Sequence, residues 1–240
     1  MLARALTGAG FQVHATVTRP EARQNLFGRL TNITVEVRGF TAESLADFLQ
    51  AGNADIVLDA THPFAARITR IAHAVCLRLG VPYVRYERPD WEPPEGTLFA
   101  DSFAEAASLL PELGRRILLT IGAKQLKYFS SLHERLTLFA RILPSPISQA
   151  QAAAAGFTAE RIIGQRPPFS EALNQALFQE CRAEVLVTKA SGRAGGVAEK
   201  VLAARALGMK VLMIRRPQLP DIAAVRSFDQ ALAACRARSS

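Results

Sequence analysis

Short runs of apolar and β-branched residues alternate along this chain with longer stretches in which apolar positions recur every three to four residues. The short runs cover 11–18, 33–37, 55–60, 82–86, 116–121, 137–142, 184–189 and 210–215 and predict strands. Stretches near 20–30, 42–51, 64–79, 102–112, 123–132, 147–155, 169–181 and 196–207 predict helices. Two strand runs, Asp55-Ile56-Val57-Leu58-Asp59 and Glu184-Val185-Leu186-Val187-Thr188, are apolar throughout their interiors. Such a strand is covered on both faces, as when helices flank a parallel sheet. Strand and helix in alternation predict right-handed β-α-β units, hence an α/β chain with doubly wound, Rossmann-like parallel sheets.

The segment from Arg88 to Gly96 carries Pro89, Pro93, Pro94 and Gly96, and proline at that density ends regular structure. One more strand-helix unit, 97–112, precedes the strong strand at Arg116. The domain junction is therefore expected near 113–115, with an N-terminal domain over 1–114 and a C-terminal domain over 115–240. The two domains are expected to face a common cleft, because ligands of such sheets bind beyond the carboxyl ends of the strands.

Composition narrows the function. A chain of 240 residues buries roughly 70–75% of its extended surface and needs no metal or disulfide staple. Cys76, Cys181 and Cys235 are far apart and form no CxxC pair, so no metal site is expected. Cys76 and Cys181 fall in helical patterns and read as small core residues, and a reduced, cytoplasmic compartment fits. No apolar run approaches the ~20 residues of a membrane span, and no membrane partner is expected. The formal charge is +8, carried mostly by arginine, which pairs bidentately with carboxylates and phosphates. These arginines are scattered rather than gathered in a stripe or tail, which argues against nucleic acid and leaves two readings, a solvated surface or an acidic small-molecule partner. The expected assembly is a monomer or a weak homo-oligomer.

Four strand ends carry candidate chemistry. At the first, Asp59, Thr61 and His62 follow the run 55–60, and Pro63 is placed to open a helix that Thr61 or His62 would cap. The spacing there serves two readings, a structural cap or a ligand-facing turn. The second is the glycine-rich stretch Thr188-Lys189-Ala190-Ser191-Gly192-Arg193-Ala194-Gly195-Gly196, which follows a strand and opens a helix. Its backbone amides suit an anion, although it is neither a Walker loop nor GxGxxG. The third is Thr120-Ile121-Gly122-Ala123-Lys124, and the fourth runs from Gln165 to Ser170 ahead of a helix with Glu171 and Asn174.

With these residues in place the chain resembles the precorrin-6A reductases. The resemblance rests on Asp59-Ala60-Thr61-His62-Pro63-Phe64-Ala65 and on the turn from Thr120 to Leu126. It extends through Pro168-Phe169-Ser170 with Asn174, and through Thr188, Lys189, Ser191, Gly192, Gly195, Gly196, Glu199 and Lys200. It closes on Ile214-Arg215-Arg216-Pro217. It implies reduction of one double bond of precorrin-6A by NADPH to give precorrin-6B, with two Rossmann-like domains around substrate and cofactor. It places Asp59, Thr61, Thr120, Gly122, Lys124, Ser170, Thr188, Lys189, Ser191, Gly192, Gly195 and Gly196 at substrate or cofactor. Reduction also needs a proton, and His62 is the candidate donor because histidine titrates near neutrality. A cobalt-precorrin-6A reductase carries the same motifs, and a non-catalytic tetrapyrrole- or nucleotide-binding protein is the alternative of a different class. Family members begin with a strand and a G-G-T-x-E turn, whereas this sequence begins inside the helix that should follow. The first strand of the first domain is therefore expected to be missing, with 11–18 and 55–60 left unpaired to each other. About 10–15 further residues are expected upstream.

Overall fold

The computed structural model describes residues 2–28, 30, 32–192, 195–219 and 221–237. The chain forms two compact units, one of residues up to Arg88 together with those from Leu219 onward, the other of Pro89–Gln218.

The first unit contains α1 (Leu2–Gly8), β1 (Val13–Val17), α2 (Pro20–Phe27), β2 (Ile33–Val37), α3 (Ala42–Ala51), β3 (Val57–Asp59), α4 (Ala66–Leu79) and β4 (Tyr83–Tyr86). β1 pairs with β2 in parallel, from Val13 opposite Ile33 to Val17 opposite Val37. β3 pairs with β4 in parallel, with Asp59 opposite Arg85. No ladder joins β1 to β3 among the described residues, so the two runs do not pair with each other. α3 and α4 bury Leu45, Leu49, Ala72, Val75 and Cys76 against one another. The Thr41 hydroxyl accepts from the Ser44 amide, and the Ser44 hydroxyl accepts in return from the Thr41 amide, which starts α3 at a defined residue.

The second unit contains β5 (Leu98–Ala100), α5 (Phe103–Leu113), β6 (Arg116–Leu119), β7 (Thr137–Ile142), α6 (Pro146–Ala154), β8 (Ile162–Gly164), α7 (Glu171–Glu180), β9 (Val185–Lys189), α8 (Val197–Ala206) and β10 (Lys210–Ile214). Its six strands are all parallel, in the order β5-β10-β9-β6-β7-β8. The chain moves outward from β6 through β7 to β8, then returns to β9 on the other side of β6. This is a doubly wound sheet whose order reverses between β6 and β9. Leu118, Leu186, Val211 and Met213 of the sheet pack on Phe178 of α7 and Val201 of α8.

Two expectations need correction. The junction lies at the proline-rich stretch after Arg88, not near 113–115. The segment 97–113 belongs to the second unit because Leu98, Phe99 and Ala100 pair with Leu212, Met213 and Ile214 on β10. The end of the chain belongs to the first unit. There β11 (Ala224–Val225) extends β4 by pairing with Arg85 and Tyr86, and α9 (Phe228–Arg236) follows. Linear order hides both exchanges, because strands are assigned to a sheet by pairing and not by sequence distance. In addition, Ala123–Leu132 is a 3-10 helix rather than an α-helix.

Candidate functional site

The first group of candidates gathers at the end of β3. Asp59 is buried, and its carboxylate pairs with Arg85 Nη1 at 2.9 Å. It also accepts from the Thr61 amide at 2.9 Å and from the Tyr83 hydroxyl at 2.7 Å. Arg85 Nη1 donates to Thr61 Oγ1 at 2.9 Å, and Thr61 Oγ1 lies 3.2 Å from Thr69 Oγ1 on α4. Burial pushes the Asp59 carboxyl up, but Arg85, the Thr61 amide and Tyr83 outweigh it and hold the carboxyl below its ordinary value. Burial and the Asp59 charge push the Tyr83 phenol far up, so it remains a donor. Arg85 is 1% exposed, and its Nε and Nη2 are buried without a hydrogen-bond acceptor, the Glu87 carboxylate standing off at 3.7 Å from Nε.

Pro63 does not open α4. The helix begins at Ala66, behind a turn in which His62 Nδ1 accepts from the Phe64 amide at 3.2 Å and the His62 carbonyl accepts from the Ala65 amide at 2.7 Å. Thr61 and His62 are therefore not helix caps; Thr61 ties the turn to Arg85 and Thr69. The Phe64 bond assigns the neutral His62 ring the tautomer with its proton on Nε2.

The second group lies in the second unit at the reversal point between β6 and β9. Thr120 extends the pairing beyond β6, its amide and hydroxyl both donating to the Val187 carbonyl at 2.9 Å. Gly122 has φ +85°, and a side chain built there would reach to 4.0 Å from Lys189 Nζ. The loops after β6 and β9 thus meet where Rossmann-like sheets bind ligands. Burial lowers the Lys189 pKa to about 8. Gly192 and Gly196 have φ +75° and +64°, values that favour glycine. A Cβ on Gly195 would collide with the Ser191 side chain, so the loop closes tightly on itself there. Arg193 and Ala194 lie outside the described residues. Among the described residues Gly196 caps α8 without a side-chain acceptor, which leaves the positive end of the helix dipole to the first-turn Glu199 or to an anion.

Thr120, Gly122, Thr188, Lys189, Ser191, Gly192, Gly195 and Gly196 are thus brought to one edge of one sheet. Ser191 is buried, its side chain closed against Gly195. The Ser170 hydroxyl caps α7, accepting from the Leu173 amide at 3.1 Å. Lys124 is exposed in the first turn of the 3-10 helix. Asp59, Thr61 and His62 form the separate group in the first unit.

The structure adds residues that spacing did not single out. Arg85 and Tyr83 organise the Asp59 turn. In the second unit Arg141 of β7 is 6% exposed, donates to Asn174 Oδ1 at 2.7 Å and stacks at 4.1 Å over the Phe169 ring. Lys200 of α8, named above only as part of the resemblance, is 7% exposed. The signal was in the sequence for both arginines. Each interrupts an otherwise apolar strand, Tyr83-Val84-Arg85-Tyr86 and Leu138-Phe139-Ala140-Arg141-Ile142, and a charge so placed requires a partner.

The chain matches the family described as precorrin-6x reductase CbiJ/CobK over residues 1–236. It is 41% identical to the cobalt-precorrin-6A reductase of Synechocystis sp., over 90% of this chain and 84% of that protein. It is likewise 41% identical to the precorrin-6A reductase of Rhodococcus erythropolis, over 91% of this chain and 86% of that one. A solved structure of CobK precorrin-6A reductase superposes with a TM-score of 0.79 at 26% identity, covering 99% of this chain and 91% of that one.

Proposed function

The chain belongs to the precorrin-6x reductase family, and from that premise we propose that it reduces one double bond of precorrin-6A in cobalamin biosynthesis, giving precorrin-6B, with NADPH as reductant in the cytoplasm. The observation that supports this reading beyond kinship is the meeting of the Gly122 turn, Lys189 and the open start of α8 at the reversal point of the second unit. The residues present fit a phosphate-bearing cofactor: Gly122 leaves room beside Lys189, and uncapped helix amides stand next to a loop that packs closely enough to exclude side chains.

When bound, NADPH supplies the hydride. The chain's own residues bind, orient and deliver the proton. Lys189 and the first-turn amides of α8 hold negative charge on the ligand, and the Gly122 turn lets its backbone approach. Hydride adds to one carbon of the reduced bond and a proton to the other. His62 supplies that proton as an imidazolium, which requires the bond from the Phe64 amide to Nδ1 of the neutral ring to open. The Asp59–Arg85–Thr61 network fixes the turn that carries the imidazole.

Equal identity to a cobalt-precorrin-6A and a precorrin-6A reductase keeps the cobalt-bearing macrocycle as a second substrate. The test is NADPH oxidation on addition of each macrocycle in turn. We expect stoichiometric oxidation with one or both. Binding of both without oxidation would make the chain a tetrapyrrole-binding protein and end the reductase reading.

A further inference from the structure

A row of polar side chains crosses the second sheet just under the loops described above. Leu118 lies opposite Phe139 on β7 and Leu186 on β9, and all three pack towards α7 and α8. Side chains two residues on return to the same face of a strand. Arg141, Thr120 and Thr188 therefore share that face at its carboxyl edge, and Arg141 does reach α7 through Asn174. Lys200 enters the same layer from α8, near enough to Arg141 and Lys189 that both, after burial itself, lower its pKa to about 7.

Among the described residues no carboxylate forms an ion pair with Arg141 or Lys200. Arg141 has a neutral amide and a ring as its partners, and burial alone lowers its pKa to about 10. No acceptor takes a hydrogen bond from Lys200 among the described residues; the one carboxylate acting on it is that of its neighbour Glu199. Thr188 is fully buried, and its hydroxyl has no hydrogen-bond partner. Buried cations and a buried hydroxyl left without acceptors are costly, and a fold retains them where a ligand supplies what is missing.

We propose that Arg141 and Lys200, with the Thr188 hydroxyl, form an interior oxyanion subsite that receives one phosphate or carboxylate group of the ligand held at the loop. This deepens the reading above and rests on it for the identity of the ligand. The chemistry of the subsite is that of a doubly coordinated oxyanion: a guanidinium fork on one side, an ammonium group on another, and a hydroxyl donor between. That group has two sources, a phosphate of the dinucleotide or an acid side arm of the tetrapyrrole.

The experiment measures binding of adenosine 2′,5′-bisphosphate and of uroporphyrin, an octacarboxylate tetrapyrrole, to the full chain and to Lys200→Met, with melting temperatures of each free protein. We expect Lys200→Met to weaken one of the two probes about tenfold, the scale of one charge-assisted contact. We also expect the ligand-free variant to melt higher by about 2–4 °C, since a buried uncompensated charge has gone. A structural lysine would give the opposite sign in melting. Loss confined to the bisphosphate assigns the subsite to a phosphate, and loss confined to uroporphyrin assigns it to a carboxylate. Unchanged affinity for both probes in Lys200→Met overturns the subsite. Should that variant fail to fold, Thr188→Val takes its place under the same criterion, since it removes the orphan hydroxyl and keeps the side-chain shape. Turnover with precorrin-6A is assayed separately, so a chain that loses probe affinity yet never oxidises NADPH retains the subsite and loses the reductase reading.

Discussion

Replacing Arg85 by methionine removes the cation that neutralises Asp59 and leaves most of the side-chain volume in place. Both side chains are essentially sealed from water, at 1% and 3% exposure, and they touch at 2.9 Å. Removing one partner of a buried pair costs about 3–5 kcal/mol. Two features reduce this. The carboxylate keeps the Thr61 amide and the Tyr83 hydroxyl, and the variant sheds the buried Arg85 Nε and Nη2, which already lack acceptors. We expect a loss of about 2–3 kcal/mol. Asp59→Asn leaves a buried guanidinium beside a neutral amide and should lose about 3–5 kcal/mol. The double variant should lose clearly less than the sum, because neither partner is then stranded. Urea unfolding followed by circular dichroism gives the energies, and hydrogen exchange of β3 and β4 amides assigns them to the first unit. The sign with pH follows from the depressed Asp59 pKa: its contribution is present above the unfolded value of about 3.9 and is lost as pH falls through the lower folded value. The gap between wild type and Arg85→Met should therefore narrow in acid. Additive losses, within about 0.5 kcal/mol, would show that Asp59 and Arg85 do not act as a pair.

Three further outcomes are expected. His62→Ala should lower kcat more than it raises KM, as for a group acting in the transition state; a change in KM alone would make it a binding residue. Lys189→Ala should weaken ligand binding by about 1–3 kcal/mol, and unchanged affinity by calorimetry would remove it from the site. Anion binding should also weaken as pH rises through about 8, because Lys189 then loses the proton that attracts the ligand; a flat affinity profile from pH 7 to 9 would contradict this.

The alternation of strands and helices was legible because each helix and each central strand carries its own periodicity. β8 and β11, of three and two residues, were not. The exchange of β5 and β11 between units has no local signature at all, because it is written in long-range pairing. The loops of the second unit were legible as a site through glycine, which marks backbone that must bend or approach closely. Arg141 and Lys200 were harder to place, because their meaning lies in what surrounds them. A lysine in the first turn of a helix reads as a solvated charge until the sheet beneath it is known, and only pairing shows that Arg141 and Thr188 share a face. Ser170 serves a structural end that its motif did not announce, since its hydroxyl starts α7.

The two units treat charge in opposite ways, and that difference is itself testable. In the first, the buried Asp59 finds a cation and two donors, so its stability needs nothing added. In the second, Arg141 is buried against a neutral amide and a ring, and the pull of Glu199 on buried Lys200 is outweighed, so that its pKa is lowered. A cation whose folded pKa lies below its unfolded value binds fewer protons folded than unfolded in the interval between them. Stability then rises with pH across that interval, here from about 7 towards the unfolded lysine value of about 10.4. Exchange-protected amides of β6, β7 and β9 should report this gain in the ligand-free protein, while those of β3 and β4 should not. An oxyanion that fills the subsite should abolish the gain, because it raises the lysine pKa back towards its unfolded value and stabilises the charged form at neutral pH. Equal pH slopes in both sets of strands, with or without phosphate, would mean that the buried lysines of the second unit are ordinary surface charges in solution.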